Sequence, residues 1–398
     1  MSWAGRHVVL GVSGGIASYK SCYLARRLTE AGARVDTVLT HSATAFVRPL
    51  TFEALTGRPA LASLWEPGTA LAHLRLAQQP DLIIVAPATA QLLARAALGL
   101  ADDLLTTLLL ARTVPVLLAP AMNDAMYAHP ATMANLATLR DRGYHVVGPD
   151  TGPLAEGPSN RPGRMSEPEV ILAHAERILR GNGRLRGRRV VVTAGPSREP
   201  IDPVRVLTNR SSGRMGYRLA EAAWARGADV VLISGPSGQP APEGVELRRV
   251  ETTAEMGDAV FSELARADVL IMAAAPADFR PATTEAVKRP RSGGPLPVEL
   301  APTQDILAST IDARRPGSVI VGFALETGNG LTRGREKLKT KALDLIVIND
   351  ALEPGAGFEK ETNRVTLLSR DGEPLVLPLQ SKRQVAEAIL DAVEQKLA

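Results

Sequence analysis

Two polar turns that follow apolar runs are the first residues whose types and spacing could do chemistry. Gly11-Val12-Ser13-Gly14-Gly15-Ile16-Ala17 lies between a strand pattern and a helix pattern, where unpaired N–H groups and the helix dipole favour a phosphate. The same run also serves as a plain tight turn. Ala86-Pro87-Ala88-Thr89-Ala90 follows another strand end and can face the same crevice, and the two turns together point to a mononucleotide such as FMN. His73 is one of six histidines and has no metal-ligand partner at a workable spacing, which taken alone is the pattern of a structural histidine. Asn123, in Pro120-Ala121-Met122-Asn123-Asp124-Ala125-Met126-Tyr127, falls at the edge where open α/β sheets bind ligands; an Asn in a turn is equally a capping residue. Eight lysines stand against 38 arginines, with only Lys20 before Lys288, and Lys288, Lys337, Lys339 and Lys341 make up half of them. Ammonium groups suit phosphate oxygens, and they also suit a solvated helix face.

The elements that must position these residues alternate in the rhythm of a parallel sheet. Apolar runs at His7 to Val12, Val35 to Leu39, Leu82 to Ala86 and Val114 to Ala119, with a helical pattern from Gly15 to Ala31, make up the first half. After a helical pattern over Glu167 to Leu179, the run Gly181-Asn182-Gly183-Arg184-Leu185-Arg186-Gly187 lapses into small and basic residues, which places a linker over 181–188. Domains are therefore expected at 1–180 and 189–398. The rhythm restarts with Val190 to Thr193, Val230 to Ile233, Val269 to Ala273, Val319 to Gly322 and Leu345 to Ile348, with helices near Gly213 to Arg226 and Leu331 to Lys341. Arg280 to Pro297 is rich in Pro, Gly, Thr and Arg without periodicity, and reads as a loop of the kind used as a lid, with Lys288 on it. At 398 residues, 45% hydrophobic and 22% charged, the composition is that of a globular protein with a substantial core. No apolar stretch is long enough to span a membrane, and no basic run is massed for nucleic acid. The single Cys22 excludes a disulfide framework or a Cys-based zinc cluster. With no leader pattern at Met1 to Arg6, the expected compartment is the cytoplasm.

In the first half, the order S-G-G-I-A, L-A-H-L-x-L-A, A-P-A-T-A, A-D-D-L-L-T-T and P-A-M-N-x-x-M-Y resembles the flavin-dependent cysteine decarboxylases, specifically the phosphopantothenoylcysteine decarboxylases. The second half resembles the phosphopantothenate-cysteine ligases through the run from Thr193-Ala194-Gly195-Pro196-Ser197-Arg198-Glu199-Pro200 to Arg205 and through Asn209-Arg210-Ser211-Ser212-Gly213-Arg214-Met215-Gly216. Ala273-Ala274-Ala275-Pro276-Ala277-Asp278-Phe279, Gly322-Phe323-Ala324-Leu325-Glu326-Thr327 and Asn349-Asp350 complete that pattern. Nearly the whole chain is covered, in the order of the fused bacterial enzymes of coenzyme A biosynthesis. The resemblance implies a flavodoxin-like, doubly wound α/β flavoprotein domain followed by a Rossmann-like α/β ligase domain. Phosphopantothenate, cysteine and CTP are the implied substrates, with FMN as cofactor and a divalent ion, Mg2+ or Mn2+, accompanying CTP. Decarboxylase trimers with FMN and His73 at subunit interfaces, ligase dimers and a dodecamer are the implied assembly.

Site residues carry over position by position. In the first domain the resemblance implies flavin contacts at Ser13, Gly14, Gly15, Ser42, Ala88, Thr89, Thr106 and Met122, with His73 as base or orienting group and Asn123 on the substrate carboxylate. In the second it implies nucleotide contacts at Ala273, Ala274, Asp278, Lys288, Asp305, Ile306, Phe323, Lys337 and Lys341, with Asn209 and Lys288 catalytic. Two places depart from the pattern. Where the decarboxylases carry a proton-donating cysteine in a flap, this chain reads Leu154-Ala155-Glu156-Gly157, so Glu156 is either the acid that replaces it or a solvated flap residue. Where the ligases read K-x-K-K, this chain reads Lys288-Arg289-Pro290-Arg291. The alternative is a peptidyl-cysteine-type flavin decarboxylase without a reductive step, fused to a ligase; a flavin-binding scaffold is a third reading, against which the retained His73, Asn123, Asn209 and Lys288 argue.

Overall fold

The computed structural model describes residues 3–65, 71–288, 296–326, 330–350, 360–370 and 372–397. It divides into two units, Met1–Leu179 and Arg180–Ala398. In the first, six strands form one parallel sheet in the spatial order Ala60–Leu61, Arg34–Leu39, His7–Val12, Leu82–Ala88, Val116–Pro120 and His145–Val146. The chain winds outward from His7–Val12 on one side and from Leu82–Ala88 on the other. The order therefore reverses between these two strands, and a crevice opens at their carboxyl ends. Alternate side chains of one strand feed two cores. Val8, Leu10 and Ile84 pack with Leu24 and Leu28 of the helix Ser18–Glu30, whereas Val9, Ile83 and Val85 pack with Leu105 and Leu108 of the helix Leu104–Ala111. Burial on both faces is why these strands read as unbroken apolar runs. The parallel, doubly wound class expected from the sequence is what the chain adopts.

The second unit holds an eight-stranded sheet in the order Glu246–Arg249, Asp229–Ser234, Arg189–Ala194, Val269–Met272, Val319–Glu326, Leu345–Asp350, Val365–Ser369 and Leu375–Val376. The first six strands run parallel and the last two antiparallel. Gly216 lets the helix Arg214–Ala225 press on the strand Arg189–Ala194, since a Cβ there would stand 2.6 Å from that of Ala194. The closing helix Lys382–Lys396 packs against the same helix. Phe279–Pro281 pairs antiparallel with Leu300–Pro302, so the loop expected from Arg280 begins and ends in a short ribbon. Its Arg289-Pro290-Arg291 stretch lies outside the described residues, as does Thr327.

Candidate active sites

The first unit carries a cavity of about 660 Å3 at the carboxyl end of its sheet, lined by both expected turns and by a flap. The flap hangs from an antiparallel ribbon of Asp150–Thr151 with Pro162–Arg164. Three contacts tie it to the Met122-Asn123-Asp124 turn. The Met122 N–H donates to the Gly163 carbonyl at 3.0 Å, Ser159 Oγ donates to Asp124 Oδ2 at 2.6 Å, and Asn123 Nδ2 donates to Glu156 Oε1. Asn123 Oδ1 meanwhile accepts from the Ala125 and Met126 N–H groups, capping the helix Asp124–Ala128. The capping role and the ligand-facing role thus share one side chain, with the oxygen committed to the backbone and the NH2 aimed across the cavity.

Ser13 and Thr89 join the two phosphate-facing turns. Ser13 Oγ donates to the Pro87 carbonyl at 2.7 Å and lies 3.1 Å from Thr89 Oγ1, while the Thr89 N–H donates back to Ser13 Oγ at 3.0 Å. A smaller adjoining hollow is lined by Ser13, Gly14, Ser42, Thr89 and Arg95. Gly14 is packed against the backbone of Ser42 with no space for a Cβ. Gly15, Met122, Asn123 and Glu156 also line the main cavity. Ala88 and Thr106 are buried behind it and line neither space; Thr106 completes a capping box with Asp103. His73 sits half-buried on the helix Ala72–Gln78 and lines neither space. Sequence reasoning missed Lys20 as a cavity residue. Only 5% exposed, it donates to the Met165 carbonyl at 2.8 Å and to Glu167 Oε1 at 2.9 Å. Burial alone would raise the Glu167 carboxyl, but Lys20 and Arg164 outweigh it and hold the group below its ordinary value. The signal was the isolation of Lys20 in an arginine-rich chain.

The second unit carries a cavity of about 400 Å3 whose lining includes Asn209, Gly213, Ala273, Ala274, Asp278, Phe323 and Lys337. Gly213 adopts φ 75°, a left-handed conformation, directly before the helix Arg214–Ala225, whose open N–H groups suit an anion. Asn209 Nδ2 donates to the Pro276 and Ala275 carbonyls at 3.1 and 3.3 Å. The motif run before it, from Thr193 to Arg205, is scaffolding for the same loop. Ser197 Oγ accepts from the Ala277 N–H at 2.9 Å, and the buried Glu199 accepts from both the N–H and the hydroxyl of Thr253. Lys288 is exposed and is not among the residues that line this cavity; Lys341 pairs with Asp305 at 2.8 Å, and Ile306 is buried in the core. Burial tends to raise the Asp305 carboxyl, but Lys341 and the helix N–H of Ala308 outweigh it and keep it below the usual range. Asn363 and Lys382 also line this cavity, and sequence reasoning missed both, since neither sits in a run with a readable period. Burial pushes the Lys382 ammonium below its ordinary value, with Arg214 adding to the effect and Glu361 opposing it. Among the described residues no group of three or more His, Cys, Asp or Glu could hold a metal ion.

Comparison with known proteins assigns both halves. The Flavoprotein family model matches residues 2–179, and that of the DNA/pantothenate metabolism flavoprotein C-terminal domain matches 185–397. The coenzyme A biosynthesis bifunctional protein CoaBC of Vibrio cholerae is 45% identical over 400 residues, covering all of both chains. That of Mycobacterium tuberculosis is 47% identical over 408 residues, covering 99% of this chain and 97% of its own. This chain belongs to the CoaBC family of bifunctional coenzyme A biosynthesis proteins. A crystal structure of the C-terminal domain of a CoaBC protein is 38% identical, covers 54% of this chain and 97% of its own, and superposes with a TM-score of 0.46. The two cavities therefore fall one in each half of the CoaBC pattern.

Proposed function

We propose that the chain joins cysteine to phosphopantothenate at the expense of CTP, releasing CMP and pyrophosphate, and then decarboxylates phosphopantothenoylcysteine to phosphopantetheine with FMN. It is a bifunctional enzyme of coenzyme A biosynthesis, a decarboxylase followed by a ligase. The observation that carries the reading is that some motif residues of each half, Gly14, Thr89 and Asn123 in one and Asn209, Asp278 and Phe323 in the other, line a cavity in that half.

The decarboxylase cavity fits a flavin mononucleotide. Gly14 has no room for a Cβ, Ser13 and Thr89 present hydroxyls beside it, and Ile16, Ala121 and Met122 offer apolar surface. Bound there, FMN supplies the two-electron oxidation of the substrate thiol carbon and the return of those electrons. The chain's own residues bind, orient and protonate. The Asn123 NH2 that now meets Glu156 is the donor for the substrate carboxylate, whose arrival displaces Glu156 and turns it toward the carbon that must accept a proton. That arrangement favours Glu156 as the acid over a solvated flap residue, and so favours the full reaction over a decarboxylase that stops before reduction. His73 lines neither of the two spaces described in the first unit, which supports trimers in which a neighbouring copy carries it to the flavin; trimers joined through ligase dimers make a dodecamer.

In the ligase cavity the helix start at Gly213, together with Arg210, Arg214 and Lys337, suits the phosphates of CTP. Asn209, held against two carbonyls, helps convert the acyl-nucleotide to the amide. Lys288, on the loop after Asp278, neutralises charge developing at the reacting phosphate. The absence of a carboxylate cluster among the described residues suits a magnesium ion held largely by the nucleotide's own oxygens. Among the described residues no helix is long and apolar enough to cross a membrane, in keeping with a cytoplasmic enzyme. The ligase reading is tested by incubating the protein with phosphopantothenate, cysteine, magnesium and each nucleoside triphosphate in turn. Amide formation with CTP and stoichiometric CMP are expected; release of the nucleoside diphosphate would contradict the acyl-cytidylate route.

A further inference from the structure

Asn209 is exposed, so its place is set less by packing than by the Ala275 and Pro276 carbonyls that its NH2 group bonds. One buried residue, Ser197, holds the chain on both sides of that contact. Its carbonyl accepts from Thr208 Oγ1 at 2.7 Å, one residue before Asn209, and its Oγ accepts from the Ala277 N–H at 2.9 Å, one residue after Pro276. The segment that Asn209 grips runs alongside, with the Ala275 N–H donating to the Gly195 carbonyl at 2.9 Å. The Ala277 carbonyl is held in turn by Thr303 Oγ1 at 2.6 Å.

A hydroxyl has one proton to give, and the neighbours of Ser197 decide where its proton goes. Thr253 Oγ1 lies 2.9 Å from Ser197 Oγ. Thr253 gives its own proton to Glu199 Oε1 at 2.8 Å, an oxygen that also accepts the Thr253 N–H at 2.9 Å where the helix Thr253–Leu264 begins. Thr253 Oγ1 therefore accepts from Ser197, and Ser197 Oγ accepts from the Ala277 N–H. The relay runs one way, from Ala277 through Ser197 and Thr253 to Glu199, and each bond polarises the next. Ser197, Thr253 and Glu199 are 0, 2 and 3% exposed, so removing a hydroxyl leaves its donor buried without an acceptor. We infer that Ser197 is a positioning residue for Asn209, oriented by Thr253 and Glu199. The inference rests on the ligase reading, in which Asn209 helps convert the acyl-nucleotide to the amide, and it makes that step the one that depends on the relay.

The test follows a single turnover by rapid acid quench and mass spectrometry, with phosphopantothenate, CTP, magnesium and cysteine, in wild type, Ser197→Ala, Asn209→Ala and the double variant. Ser197→Ala is expected to slow amide formation roughly tenfold, the effect of one lost buried hydrogen bond. Pyrophosphate release in the same turnover should change little, so that acyl-cytidylate accumulates on the protein. In the Asn209→Ala background the same substitution should cost nothing further, because its effect passes through Asn209. Thr253→Val should repeat the Ser197→Ala pattern and Thr253→Ser should restore the wild-type rate, which decides the matter even where Ser197→Ala fails to fold. Equal slowing of pyrophosphate release and amide formation, losses that multiply in the double variant, or an unchanged amide rate in Ser197→Ala would overturn the assignment while leaving the ligase reading in place. A wild type that releases no pyrophosphate from CTP would overturn the ligase reading itself, and the positioning role with it.

Discussion

Gly14→Ala tests the flavin cradle by a single methyl group. A Cβ at Gly14 would stand 2.4 Å from Ser42 Cβ and 2.6 Å from the Ser42 carbonyl carbon, so part of the obstacle is backbone that no side-chain rotation can move. Restoring an ordinary contact near 3.4 Å requires the turn to shift by about 1 Å, and overpacking of this kind costs about 1–3 kcal/mol. The displaced turn carries the hydroxyl of Ser13 and its contacts to Pro87 and Thr89, so the cost falls on the flavin site. FMN affinity should fall roughly 10- to 100-fold, read by titrating the apoprotein with FMN and following flavin fluorescence, with melting curves alongside. At Gly15 a Cβ would lie 3.5 Å from Thr89 Cγ2, an ordinary contact, so Gly15→Ala should lose at least tenfold less. A Gly14→Ala protein that binds FMN as tightly as wild type, or a Gly15→Ala protein that loses as much, would refute the reasoning.

Replacing Glu156 by Ala should leave oxidation and loss of carbon dioxide intact while halting the product at the oxidised, decarboxylated ene-thiol, as seen by mass spectrometry; unimpaired phosphopantetheine formation would leave Glu156 without that role. Lys288→Ala should abolish amide formation with CTP but spare decarboxylation of phosphopantothenoylcysteine supplied directly, which separates the two halves in one protein. Burial alone would raise the Glu387 carboxyl, but Arg180 and Arg226, at 2.6 and 2.5 Å, outweigh it and bring it from 4.5 down to about 2. Because the folded value lies below the unfolded one, this ion pair stabilises fully above about pH 4.5, and the effect of about 3 kcal/mol is lost as pH falls toward 2. Melting curves of Glu387→Gln should therefore show a lower Tm at pH 7 and a flatter decline in acid; an equal deficit at pH 7 and pH 3 would refute the assignment.

The sheets were legible because strands buried on both faces must be apolar throughout, and His7–Val12, Leu82–Ala88 and Arg189–Ala194 announce themselves that way. Helix starts were blurred by glycine turns. The first helix begins at Ser18, three residues past the Gly15 of the sequence reading, because Gly14 and Gly15 belong to the turn before it and Ser18 Oγ closes on the Gly15 carbonyl. The late antiparallel strands, such as Thr362–Asn363 and Leu375–Val376, are two residues long and carry no period to read. That is also why Asn363 and Lys382 escaped notice, since long-range pairing and not local pattern brings them to the cavity. Motif residues split in the same way. Asn123 and Asn209 stand where strand ends and turns put them, whereas Thr106, buried in a cap, and His73, away from the cavity of its own chain, answer to packing that a single sequence does not display.

The most direct measurement is a time course, by mass spectrometry, of one purified protein given phosphopantothenate, cysteine, CTP, magnesium and FMN. Phosphopantothenoylcysteine should rise first and then fall as phosphopantetheine accumulates, with one CMP formed for each amide. Accumulation that ends at phosphopantothenoylcysteine or at the ene-thiol would contradict the claim that this chain, with Glu156 in its flap, completes both reactions.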